Sequence, residues 1–247
     1  MVQIHMQITK EELLKELHDF RPSGKLILRP EDIPAGVKLP PKWEPVISKP
    51  FGGFKAGDWP EWDPIVKKAP NIGRFLRSIL RFNSVFFDQR RGLPYLLYVY
   101  TSHGRDINFY AGRPHVIEPP EKVGPLLKSF PKELRHFYEQ LHDGWTFLPS
   151  NAMGPLALED CAFLSEDQFD FDDEKAAKAP FDPNKVLTVF HNGAGDYLCL
   201  NFGKLNQDGE ASAMIWWHEE PTKPDFVDFW PVLDAWIGIF FEDADHN

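Results

Sequence analysis

The 247-residue chain contains only two cysteines, Cys161 and Cys199, thirty-eight positions apart and in no C-x-x-C arrangement. That excludes a cysteine zinc knuckle and a thioredoxin-like pair, and it points to a reduced compartment. Long apolar runs are missing as well. The longest, around Leu93 to Tyr100, falls far short of the ~20 residues of a membrane span. Met1 to Met6 shows no basic stretch leading into an apolar one, so a cytoplasmic location is expected. No fixed-period repeat occurs, which argues against a solenoid or propeller.

Catalytic signatures are equally scarce. There are nine histidines but no H-E-x-x-H, and no G-x-S-x-G. His136 and His142 stand six apart, which puts them on different sides of a helix. His191 and His218 could meet across the strand meander, but two histidines lack the third ligand a zinc site needs. Gly193-Ala194-Gly195 lacks the third glycine of a dinucleotide loop and runs into a strand-like segment, whereas phosphate binding needs a helix N-terminus. Asn192-Gly193 is therefore expected to make a turn between strands. The acidic stretch holding Asp167, Asp170, Asp172, Asp173 and Glu174 lacks the spacing and terminal glutamate of a calcium loop. A solvated acidic loop is the simpler reading. No catalysis, no cofactor and no metal are expected.

Basic residues are few in the second half. Residues 1–115 hold 18 Lys+Arg against 12 Asp+Glu, a net of +6; residues 116–247 hold 9 against 25, a net of −16. A general nucleic-acid binder would be basic overall. An acidic half repels phosphate and steers a basic partner, or it simply keeps the protein in solution.

What the chain does contain is patterned. Thr9-Lys10-Glu11-Glu12 is a capping box, followed by Leu13, Leu14, Leu17 and Phe20 at helical spacing. Ten prolines between Arg21 and Pro70 rule out long helices there. Trp43, Trp59 and Trp62 argue that this stretch is ordered and docks on the core, because disordered linkers are poor in aromatics. A helix from Asn71 carries the apolar face Ile72, Phe75, Leu76, Ile79 and Leu80. Arg74, Arg77 and Arg81 form a basic stripe that is either a membrane- or partner-binding face or a solvated one. Pro94 to Tyr100 and Asp106 to Ala111 read as a hairpin closed by Thr101 to Arg105.

Pro119-Pro120 and the change in charge place a domain boundary near 115/116. Beyond it, Val123 to Phe130 and Leu134 to Leu141 read as helices, the latter ended by Gly144. Val186 to Phe190, Tyr197 to Phe202 and Ala211 to His218 read as a strand meander in which Leu198, Leu200 and Phe202 share one buried face. A closing helix carries Phe229, Leu233, Trp236, Ile237 and Phe240, and Pro231 in its first turn places its start near Asp225 or Asp228. Trp216 and Trp217 point to opposite faces, so one of them is an interface anchor or both are core. The expected class for residues 116–247 is α+β: an antiparallel sheet of four to six strands against these helices, with residues 1–115 as an α+β extension.

Four motifs in order carry a resemblance. "FPKELRHFYEQLHDGW", "GPLALED", "FHNGAGDYLCLNF", and "ASAMIWWHEE" followed by "FVDFWPVLDAWI" are similar to the helix, short strand, hairpin, and strand-plus-helix of the SUKH superfamily. This superfamily takes its name partly from the yeast Smi/Knr regulators of cell-wall synthesis. The resemblance covers residues 116–247. It implies an immunity protein that binds and neutralises a cognate polymorphic toxin delivered by type VI secretion or contact-dependent inhibition. A nuclease acting in the cytoplasm is the implied toxin. The alternative is a non-enzymatic regulatory or scaffold protein of the same fold. On the first reading the partner is a basic protein, with neither nucleic acid nor membrane bound directly. Asp167, Asp170, Asp172, Asp173 and Glu174 would steer it, and Trp216 or Trp217 would anchor it.

Overall fold

The computed structural model describes residues 8–52 and 59–246; the stretch Met1 to Met6, in which no leader pattern was read, lies outside them. Among the described residues ten strands form two antiparallel meanders. The first sheet has the order β1 (Gly24–Ile27), β2 (Phe82–Asp88), β3 (Leu93–Ser102), β4 (Asp106–Pro114), β5 (His142–Phe147). The second has the order β10 (Asp225–Val227), β9 (Ala211–Trp216), β8 (Tyr197–Leu205), β7 (Val186–His191), β6 (Gly154–Pro155). All the pairings are antiparallel. The two sheets meet where Phe147 bridges Ala152. There Gly154 lies so close to Trp145 that an added Cβ would stand 1.9 Å from its carbonyl oxygen. The class is α+β, and residues 116–247 contribute six strands.

No break in the sheet falls at 115/116. β4 from the first segment pairs with β5 from the second, Tyr110 opposite Phe147 and Ala111 opposite Thr146. The largest core cluster likewise draws on both segments. Trp43, Trp62, Phe75 and Tyr98 pack with Trp145, Phe190, Leu233 and Phe241 in it. Trp43, Trp59 and Trp62 are all buried, as their aromatic weight suggests.

Each sheet is covered on both faces, so most of its strand residues are buried without strict alternation. Helix α1 (Lys10–Phe20), opened by its capping box, lays Leu13 and Leu17 on Phe86, Leu97 and Phe109. On the other side lie the segment Pro70–Arg74 with its π-turn Phe75–Ile79, the segment Lys132–His136 with its π-turn Phe137–Leu141, the closing helix Phe229–Ile239, and the short helices Glu44–Ser48 and Asp63–Lys68, which add Ile47 and Ile65. The strand Tyr197–Leu205 was expected to be buried on one face only. Instead Cys199 is fully buried opposite Leu198 and Leu200, because the chain from Ala162 to Phe181 covers that second face.

Several local expectations are corrected. Gly144 does not end the helix; it lies inside β5 with φ +80°, next to the bulge at Gly112/Arg113, where a Cβ would stand 2.5 Å from the Ala157 nitrogen. Val123 to Phe130 forms a 3-10 turn (Gly124–Ser129) because Pro125 and Gly124 interrupt it. The closing helix starts at Phe229 with Asp228 before it, and Asp225 belongs to a strand. Arg81 lies beyond the second helix and donates to the Thr101 hydroxyl at 3.3 Å and 3.2 Å, so the three arginines do not form one free stripe.

Asp234 links the segments at depth. Its carboxylate accepts from the Asn71 amide at 2.9 Å and the Ile72 amide at 3.3 Å, and from the Asn71 side chain at 3.1 Å. It thereby satisfies donors at the start of the Pro70 helix from a distance of 163 residues in sequence. Burial raises its pKa, and these bonds act against the rise. Asp234→Ala is expected to lower stability by about 2–3 kcal/mol, since it orphans the buried Ile72 amide and the part-buried Asn71 donors at once. Chemical denaturation checks this, and a loss under about 0.5 kcal/mol, the scale of an ordinary surface change, would contradict it.

Candidate functional site

The five acidic residues lie on the segment that covers the outer face of the second sheet, and all are exposed. The segment is held in place from below. Phe169 packs edge-on against Tyr197 (5.4 Å between centroids) and Trp216 (5.5 Å), and Phe171 packs on Phe181 (5.6 Å). Asp170 adopts a left-handed conformation, φ 47°, which aspartate tolerates better than most residues. Asp172 caps a short helix, Asp173–Lys178, by accepting from the Lys175 amide at 2.8 Å. Lys175 pairs with Asp170 at 3.0 Å and Lys178 with Glu174 at 2.5 Å. Glu166 accepts from the Phe163 amide at 2.7 Å and from Lys122 at 2.6 Å. Residues 166–178 thus hold six carboxylates against two lysines, and their backbone is fixed by caps and an aromatic footing.

The two tryptophans part company. Trp216 is 3% exposed and forms the floor under Phe169. Trp217 is half-buried on the helix side of the sheet and donates from Nε1 to Asp225 at 2.9 Å. The acidic residues and Trp217 therefore sit on opposite faces. Trp216 lies under the acidic cover but has no surface to offer a partner.

The glycine-rich turn is structural. Asn192 accepts from the Ala194 amide at 2.8 Å and the Asp196 amide at 3.1 Å, while Gly193 and Gly195 take φ of 83° and 102°. This Asx-type turn joins β7 to β8. His218 donates from Nδ1 to Asp196 at 2.8 Å, and its backbone amide reaches the same oxygen at 3.1 Å. Burial alone would raise the Asp196 pKa, but the bonds from His218 and Asn192 hold it below the usual value. His191 packs on Tyr197 with the rings tilted and 4.8 Å between centroids, and burial lowers its pKa. No three His, Cys, Asp or Glu side chains gather in a metal-holding cluster among the described residues. Cys161 and Cys199 are both buried and free, and burial raises both thiol pKa values. No helix among the described residues is long and apolar enough to cross a membrane.

Two features escaped the sequence reading. Phe226, on β10, is a half-exposed aromatic on the acidic side of the second sheet, paired in register with Met214. Its strand is three residues long and sits beside Pro224, where a helix start was expected. His142 is fully buried, with Nδ1 2.8 Å from the Arg113 carbonyl and Nε2 2.8 Å from the Tyr98 hydroxyl. The carbonyl can only accept, so Nδ1 carries the proton and Tyr98 donates to Nε2. Nothing in the local spacing of His142 signals this arrangement.

Residues 126–237 match the family model described as SMI1 / KNR4 family (SUKH-1). No curated protein and no solved structure matches the chain. The matched span runs from the turn before the Lys132 helix through β5–β10 into the closing helix, which is the stretch that carries the ordered motifs. By its ordered motifs and by this match, which spans 112 of the 247 residues, the segment 126–237 is similar to the SMI1 / KNR4 family (SUKH-1).

Proposed function

We propose that this chain is an immunity protein, which binds and neutralises a cognate toxin delivered between bacteria by type VI secretion or contact-dependent inhibition. The toxin on this reading is a basic, cytoplasmic-acting protein, a nuclease whose phosphate-binding site is covered by the acidic half of this chain. The chain itself performs no catalysis, needs no metal or cofactor, and contacts neither nucleic acid nor membrane. Similarity to the SMI1 / KNR4 family (SUKH-1) is consistent with a protein partner of this kind.

The observation that carries the reading is the ordered acidic cover. Asp167, Asp170, Asp172, Asp173 and Glu174 are exposed on a segment fixed by Phe169 and Phe171. A fixed array of one sign steers an oppositely charged protein without first having to be ordered. Trp217 supplies an aromatic surface on the other face. Buried Trp216 acts only by supporting Phe169.

The test uses the product of the adjacent gene, since an immunity gene neighbours that of its toxin. Asp167, Asp170, Asp173 and Glu174 are changed to Lys, and Asp172 to Asn so that its cap survives. Association at low salt is expected to slow by about tenfold or more, with a flatter salt dependence. Rates that ignore both the substitutions and the salt would remove the acidic cover from the mechanism.

A further inference from the structure

Strand β10 is the outer strand of the second sheet, and nothing pairs with its far side among the described residues. It stands as a ridge between two grooves. On the acidic side Phe226, 51% exposed, borders a groove of about 550 Å³ with Phe181, Lys185, Asn201 and Lys204. On the other side Val227 borders a cleft of about 550 Å³ that runs toward Lys67, Lys68 and Trp230. An open strand edge with a recess on each face is the geometry of strand addition. The edge's main-chain groups bond the incoming strand, and its alternating side chains fall to the two sides.

The edge also selects by charge. Residues 218–228 hold four carboxylates, Glu219, Glu220, Asp225 and Asp228, against one lysine, Lys223. Lys223 is occupied by Glu220 at 2.5 Å. A second copy of this chain would present the same acidic edge and be repelled. Pro224 and the shortness of the strand discourage indiscriminate pairing. Lys185 is held by Asp182 at 3.8 Å, and Lys204 lies 5.5 Å from the Phe226 ring centroid. Across the strand Lys68 is held by Glu133 at 3.9 Å, so Lys204 on one side and Lys67 on the other are the adverse charges for a cationic arrival.

The geometry points to a cationic extended segment of a partner protein that adds as a strand to β10 and seats an apolar side chain on Phe226. This deepens the partner-binding reading and rests on it, naming the surface and the chemistry of what docks there. On this assignment Phe226, not Trp216 or Trp217, is the aromatic anchor on the acidic side.

The probe is a blocked heptapeptide of alternating Lys and Val, titrated to millimolar concentration into the isotope-labelled full chain. A peptide with Glu in place of Lys is the control. Amides of residues 225–227 are expected to shift and to exchange more slowly with the Lys peptide alone. Phe226→Ala is expected to weaken binding about fivefold or more with unchanged melting temperature. Lys204→Gln is expected to tighten it. Equal binding of the Glu peptide, shifts confined to another surface, or no shift at all would overturn the assignment. Protection of 225–227 by self-association without peptide would overturn it too. The partner-binding reading is judged separately, with the adjacent gene product and no peptide, so either can fail alone.

Discussion

A fragment beginning at residue 116 is expected not to fold as a monomer, even though it contains the whole span that matches the SUKH-1 family. Its sheet would lose β4, the partner of β5 along Tyr110 to Pro114. Trp145 would lose Tyr110, stacked on it at 4.3 Å, together with Trp62, Phe75 and Tyr98 at 5.4 to 5.9 Å. Asp234 would be left without the Asn71 and Ile72 donors. Removing one such buried aromatic typically costs ~3–5 kcal/mol, and whole domains are stable by only ~5–15 kcal/mol. Circular dichroism and dye binding should show residual helix, exposed apolar surface and no cooperative melting. A sharp, reversible transition in the fragment would show that residues 1–115 are a dispensable addition. The expected result is that they complete the fold.

Acid is expected to unfold the protein through His142. Burial lowers its pKa from 6.5 to about 3, with the Arg113 carbonyl opposing the change. The ring is neutral in the folded protein and gains a proton near pH 6.5 in the unfolded chain. Stability is therefore fully present above pH 6.5 and falls as pH drops from there toward 3. The loss reaches about 3 kcal/mol at pH 4, from the 2.5-unit gap below the unfolded pKa. Trp43 and Trp62 pack around the ring at 6.3 and 6.2 Å, and a Cβ on Gly112 would lie 2.5 Å from it, which leaves no room for a hydrating water. Denaturant titrations at pH 7 and pH 4 should show this difference in the native chain. His142→Asn has lower stability at pH 7 but no titrating ring, so its pH dependence should be smaller by about the same amount. An equal dependence in both proteins would locate the acid sensitivity elsewhere.

The elements legible in the sequence were those with local signals. The Thr9 capping box, the Leu13–Leu17 spacing and the Asn192-Gly193 turn rest on a few neighbouring residues, and the structure contains each of them. Phe82 to Asp88 was not recognised as a strand. Both of its faces are covered, so its apolar run lacks alternation and merges with the helix before it. Gly144 was misread because a positive φ suits a helix end and a strand bulge equally well. The Trp216–Trp217 pair shows the limit for sites: alternation gives opposite faces, but only the cover formed by Phe169 decides which face is closed. Phe226 was passed over because three residues flanked by Pro224 and Asp228 carry no strand signature, and edge position is a property of the whole sheet.

The measurement closest to the central claim is growth of a bacterial host that produces the product of the adjacent gene, with and without this chain. The account predicts arrest without the chain, rescue with it, and a rescue that weakens when the acidic residues are reversed. Arrest that persists undiminished while the full-length chain accumulates in soluble, folded form would contradict it.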